Sequence, residues 1–262
     1  MVQPVVIGSG LVGWQFLQST YDRQLESFTQ SSELKRDIDH FEENIGKVFT
    51  AEALVSDRQL LGVALGAFGL EDDLDNRFFI QKMLEEGTTA DDALANRFTD
   101  TRYREFSEAF GFGPLEIPQT FKPGFAAEIV EKYKANSFEV ATGLQDENMR
   151  VALYAQRTLS GVVSEEGSNA QKWFSIMGQP ALRELFETAF NLPEQFGQVD
   201  IDQQLGVFEE RAEREFGTSD PSIFSDPEAV EDLVRTYLAR AQVAEISSGQ
   251  SSGSIALQLL QS

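Results

Sequence analysis

Ser56-Asp57-Arg58-Gln59-Leu60-Leu61-Gly62-Val63-Ala64-Leu65-Gly66-Ala67-Phe68-Gly69 reads as a helix with a start, a stop and an apolar middle. Ser56 and Gln59 stand in the S-x-x-Q relation of a capping box, where each side chain satisfies a backbone N–H orphaned at a helix start. Gly69 falls where the chain leaves the helix, in the left-handed position that glycine takes at little steric cost. Leu60, Leu61, Ala64, Leu65 and Phe68 follow helical spacing, and Val63 and Ala67 carry apolar atoms round much of the remaining circumference. A helix apolar nearly all round is a buried one. Gly62 and Gly66, four apart, predict a shallow stripe where a neighbouring helix approaches, a packing device rather than a site.

Outward from this stretch the same grammar repeats. Gly87, Gly111, Gly143, Gly178 and Gly217 close segments of helical spacing, while Asp100, Asp146, Ser168, Asp200 or Asp202, and Ser225-Asp226-Pro227 open them. No sustained apolar/polar alternation marks a strand, so the chain is expected to be all-α. Pro114, Pro118 and Pro123 make an extended connector, and the last long helix is expected to fade at Ser247. Val63-Ala64-Leu65 has counterparts at Val151-Ala152-Leu153 and Ile255-Ala256-Leu257. Ile129 to Ala135 reads against Leu233 to Ala239 at the same offset as the second pair, and Tyr103-Arg104-Glu105-Phe106 reads against Leu182-Arg183-Glu184-Leu185. These echoes predict a multi-helix array: an N-terminal helical arm (1–32), two diverged helical repeats (33–125 and 126–228) and a truncated third unit with the tail (229–262).

Composition narrows the function classes. The chain has 262 residues, 21 of them phenylalanine, enough to bury a sizeable core. It carries 43 acidic against 21 basic residues, a formal net charge of −22, which argues against nucleic acid or anionic lipid over a broad face. Without cysteine it has no disulfides, thiolate metal sites or cysteine nucleophile. No stretch approaches the roughly 18 uninterrupted apolar residues of a membrane span. The first basic residue is Arg23, and glycines at 8, 10 and 13 break the early apolar run, so cytoplasmic synthesis without a secretory signal is expected.

The motifs that suggest chemistry each lack a necessary part. Gly8-Ser9-Gly10-Leu11-Val12-Gly13 matches the dinucleotide fingerprint, yet the second strand and acidic residue that the fingerprint requires are replaced by the polar, helical run Asp22 to Gln30. Gly249-Gln250-Ser251-Ser252-Gly253 resembles a nucleophile elbow, but nothing titratable follows Ser251. His40 is the single histidine, and one imidazole with surface carboxylates makes a weak metal site. Glu71-Asp72-Asp73-Leu74-Asp75 lacks the order of a calcium loop and suits the positive end of the following helix. No catalytic, cofactor-binding or metal-ligating residue is therefore assigned.

Contact residues are easier to name. Leu11, Trp14, Tyr21, Leu25 and Phe28 follow steps of three and four with Gln18 in the polar place, a short coiled-coil-like seam. Such a helix packs on its own domain or docks on another chain, which would make it a route to oligomers. Ile255, Leu257, Leu259 and Leu260 give the tail an apolar face expected to dock on its own domain or on a neighbour. On the docking reading, removing residues 1–31 weakens association and leaves the helical core folded.

Several segments resemble a known family. Asp57-Arg58-Gln59-Leu60-Leu61 followed by Ala64-Leu65-Gly66-Ala67-Phe68-Gly69-Leu70-Glu71 looks like its best-marked segment. Leu94 to Tyr103, Ala109-Phe110-Gly111-Phe112 and Phe138-Glu139-Val140-Ala141 are similar to further ones. The family is a bacterial, all-helical group of uncharacterised proteins, often with more than one copy of its region and often encoded among flagellar genes. The resemblance covers most of residues 8–260 and implies a fold, repetition and an association with the flagellum, with no activity attached. The function expected is that of a non-enzymatic structural or interaction protein, an accessory of flagellar assembly with a protein partner. The competing expectation is an enzyme or small-ligand binder with an acidic cleft between the two repeats.

Overall fold

The computed structural model describes the backbone of residues 3–164 and 166–260, and the side chains of those up to residue 246 other than Glu194. In order the chain forms α1 (Gly10–Thr29), α2 (Ser32–Asn44), α3 (Ala51–Ser56), α4 (Arg58–Ala67), α5 (Arg77–Glu86), α6 (Leu94–Arg97) and α7 (Arg102–Phe110). It continues with α8 (Phe125–Gly143), α9 (Glu147–Ser164), α10 (Asn169–Met177), α11 (Pro180–Ala189), α12 (Ile201–Phe216) and α13 (Pro227–Leu260). Short 3-10 turns sit between several of them, and the described residues contain no strand. The protein is all-α.

Two compact units divide the chain. Unit 1 is Met1–Val5 with Thr20–Thr142, and unit 2 is Val6–Ser19 with Gly143–Ser262. Helix α1 thus gives its first half to unit 2 and its second half to unit 1.

Unit 1 is built round α4, whose Leu60, Leu61, Val63, Ala64, Leu65, Gly66 and Ala67 are all buried, as the apolar circumference predicts. Its cap differs from expectation. Asp57, rather than Ser56, is the N-cap: its carboxylate accepts from the backbone N–H of Gln59 at 2.9 Å and of Leu60 at 3.1 Å. Ser56 closes α3, a helix the sequence does not announce, and its hydroxyl donates to the Glu52 carbonyl. One residue separates two helices, so a single aspartate turns the chain. Gly69 does take the left-handed conformation, at φ 70°. The expected glycine stripe is half right: a β carbon on Gly66 would lie 2.8 Å from Tyr133 Cε2, whereas one on Gly62 would meet nothing nearer than Leu74 Cδ1 at 3.9 Å. Asn136 donates to the Gly66 carbonyl at 2.8 Å, sealing the α8 contact. Phe106 and Phe110 of α7 pack with Phe68 and Phe125, and Phe28 and Tyr21 of α1 meet Phe138 edge to face. Edge-to-face ring pairs add about 0.5–1.5 kcal/mol beyond the area they bury.

Unit 2 packs α10, α11 and α13 around α9. Trp173 of α10, Phe186 and Phe190 of α11, Phe208 of α12 and Phe224 form one cluster of rings, all fully buried. The Trp173 indole N–H donates to the Ser219 carbonyl at 2.9 Å, so the one polar atom of that ring is satisfied. Caps expected from sequence hold here: Ser168 and Gln171 form a complete capping box, Asp200 caps α12, and Gly217 ends it left-handed. Three boundaries shift. Of the short helix expected from Thr89 through Phe98 only α6 forms, the helix expected over Glu71 to Glu86 begins at Arg77 after a separate 3-10 turn over the acidic run, and α13 continues past Ser247 to Leu260.

Candidate partner-binding surface

The seam residues of α1 divide between the two units. In unit 2, Trp14 is 1% exposed, and its indole N–H points to both carboxylate oxygens of Glu231, 3.3 and 3.2 Å away. Leu17, next to the seam, is also buried. In unit 1, Phe28 is buried against Phe138, Tyr21 is half-buried with its ring 5.3 Å from Phe138, and Leu25 is half-buried. Leu11, at the first turn, is the seam residue left exposed. A face of this kind spends its apolar area inside the chain, so deleting residues 1–31 strips Trp14, Leu17 and Phe28 from the core and is no clean test of association. Ile255, Leu257, Leu259 and Leu260 lie on the final stretch of α13, where side chains are outside the described residues.

What unit 2 does leave exposed is apolar residues on two segments, the start of α1 and the rear of α13. Ile7, Leu11 and Val12 are exposed, Val12 at 69%, as are Val243 and Ile246, which share one side of α13 three residues apart. The two segments meet at Gly10. Gly10, at φ 55°, seats against Gln242, whose side-chain oxygen would lie 2.5 Å from any β carbon there. Gly13 leaves no room either: a β carbon would meet the Gly8 carbonyl at 2.8 Å and Met149 Cε at 3.0 Å. Residues 4–7 are irregular rather than a strand, and Val5 exchanges hydrogen bonds with the Gln24 side chain. The three glycines that resemble a dinucleotide fingerprint are therefore explained by the folding of this segment. Sequence reading missed Ile7, Val12, Val243 and Ile246. Val243 and Ile246 stand out only as apolar residues in a polar run, a pattern that does not separate an exposed patch from a buried one.

Several titratable groups are tied into the packing of their helices. His40 Nε2 lies 2.8 Å from Asp57 Oδ2, joining α2 to the carboxylate that caps α4. Burial pushes the Asp57 carboxyl up, but hydrogen bonds from His40, Leu60 and Gln59 outweigh it and leave the group below its usual value. Tyr133 is pushed up to about 12, first by burial and then by Asp37. Tyr237 is raised chiefly by burial, with Glu184, Glu147 and Asp146 adding to it, and its hydroxyl donates to Asn148 at 2.9 Å. Among the described residues no three His, Asp or Glu side chains come together as a metal would require. No helix among them is long and apolar enough to cross a membrane.

Comparison with known proteins agrees with a fold whose chemistry is unassigned. No curated protein matches the chain. A crystal structure from Agrobacterium tumefaciens, determined as a structural-genomics target, is similar with a TM-score of 0.75 and 24% identity, over 92% of this chain and 96% of that one. At that identity the likeness is one of fold. Residues 67–230, more than half the chain, match the family described as Protein of unknown function (DUF1217), and the chain belongs to that family.

Proposed function

We propose that this protein acts by contact, as a non-enzymatic helical interaction module whose partner docks on the apolar surface formed by Ile7, Leu11, Val12, Val243 and Ile246. The observation that carries the reading is the exposure of these five side chains on two segments that meet where Gly10 seats against Gln242. The family resemblance makes a flagellar component the partner to look for first. Repetition fits the same reading. Phe106-Ser107-Glu108-Ala109-Phe110-Gly111 at the end of α7 has the pattern of Phe186-Glu187-Thr188-Ala189-Phe190-Asn191 at the end of α11. Both phenylalanines of each pair are fully buried, and Gly111 and Asn191 both have positive φ, 63° and 51°. Two diverged copies of one helical unit account for that correspondence.

The test is affinity purification from the native host after in-cell crosslinking, comparing the wild-type chain with a Val12→Asp, Ile246→Asp double variant. Both positions are exposed, so helical content and thermal midpoint should hold while a specific partner is lost. Equal recovery of every partner by the variant would count against this surface.

A further inference from the structure

Unit 1 carries a backbone feature that no packing among the described residues rewards. Gly113-Pro114-Leu115-Glu116 is a tight turn closed by the Glu116 N–H on the Gly113 carbonyl at 3.1 Å. Proline occupies its second position and Leu115 its third, at φ 67°. That third position of a proline-led turn with positive φ belongs to glycine or asparagine, because an L side chain crowds the backbone there. Leu115 is nevertheless 98% exposed, so its side chain gains no packing in exchange for the strain.

The turn is also held firmly. The Glu116 carboxylate accepts from the backbone N–H groups of Thr88 at 2.9 Å and Gly113 at 3.2 Å, and from the Thr89 hydroxyl at 3.1 Å. Gly113 lies so close to Gly87 that a β carbon on it would come within 2.5 Å of the Gly87 Cα. Gln119 N–H donates to the Phe110 carbonyl at 3.0 Å, fixing the far side. Further along the connector, Ile117 is 65% exposed, and exposed Phe121 pairs with exposed Phe49, ring centres 6.1 Å apart. The segment bonded to Glu116 runs on into the exposed carboxylates of Asp91 and Asp92, and Glu85 and Glu86 end α5 just before Gly87. An apolar projection on a rigid turn thus stands beside a cluster of acids.

We propose that this turn is a docking element, with Leu115 as its anchor, for a protein partner that offers an apolar pocket rimmed by lysine or arginine. The pocket supplies the burial that Leu115 lacks in its own chain, and the basic rim answers Glu85, Asp91 and Asp92. A membrane bearing anionic lipid would be repelled by the same carboxylates. The proposal rests on the reading that the chain acts by contact, but on different residues, so the Val12 and Ile246 variants leave it untouched.

The experiment puts p-benzoylphenylalanine in place of Ile117 in the full chain in its native host, with and without Leu115→Gly, and identifies the photo-crosslinked product. The expected product is one protein, crosslinked at an apolar segment flanked by lysine or arginine. Its yield should fall about tenfold or more with Leu115→Gly, as for the loss of one buried leucine, and fall again as salt is raised in the purified pair. The thermal midpoint of Leu115→Gly should stay level or rise by up to about 3 °C, since glycine is the residue the turn prefers. Crosslinking to lipid, to a second copy of this chain or to nothing overturns the proposal. So does a yield indifferent to Leu115→Gly, or a fall in midpoint, which would make Leu115 structural.

Discussion

Gly62 and Gly66 look alike in sequence, four residues apart on one helix, and differ entirely in what surrounds them. Gly66→Ala puts a methyl group 2.8 Å from the Tyr133 ring edge and should destabilise unit 1 by about 1–3 kcal/mol in urea unfolding. Gly62→Ala meets only Leu74 Cδ1, at an ordinary contact distance of 3.9 Å, and should stabilise by up to about 1 kcal/mol, because alanine replaces glycine inside a helix. A shared sign for the two would mean that Tyr133 does not press on α4 as described. At the helix start, Asp57→Ala removes a cap and the partner of His40, and should cost about 1–2 kcal/mol near neutral pH. Because the folded carboxyl sits below its ordinary value, the stabilisation is present above the unfolded value of about 4 and is lost as pH falls through the folded one. The gap between wild type and Asp57→Ala in a pH series of unfolding curves should therefore narrow on acidification below about pH 4. Which of two glycines touches a ring, and whether Ser56 or Asp57 caps, depends on neighbours distant in sequence or on one backbone dihedral, and local spacing carries neither.

Helix starts and stops were the most legible part of the chain. Ser168 with Gln171, Asp200, Gly111 and Gly217 do locally what their side chains and backbone freedom allow, and no distant contact overrides them. The short α3 was not legible, since so few residues establish no period, and of the short helix read over Thr89–Phe98 only Leu94–Arg97 forms. The candidate surface was read in part: the apolar seam of α1 is plain in sequence, but an apolar stripe states only that something covers it. Trp14 is covered from within. Trp14→Ala should accordingly cost about 3–5 kcal/mol and act as a core mutation, not as the loss of a contact residue. Phe208→Ala, at the centre of the rings of unit 2, should cost a similar amount. Both are measured by denaturant unfolding followed through tryptophan fluorescence. Trp14 and Trp173 are the only tryptophans of the chain, and both belong to unit 2, so this signal reports that unit alone.

Across the whole molecule, a net charge of −22 is self-repulsion that dissolved salt screens. The thermal midpoint should rise as sodium chloride goes from about 10 mM to about 0.3 M, where the Debye length shortens to roughly a fifth of its starting value. A flat response would mean that the acids are already balanced locally by the ion pairs along the helices. The split of α1 between units has a bearing on how the protein is made. Unit 2 is discontinuous along the chain, with residues 20–142 inserted between its two parts. A ribosome releases Trp14 long before Glu231 exists, so the first half of α1 must wait, its indole uncovered, while unit 1 is completed. Unit 1 has nearly all of its residues early and in one run, whereas unit 2 closes only as the last helix emerges. The order of synthesis thus makes the early tryptophan the residue longest at risk of finding the wrong company, and a natural target for a chaperone.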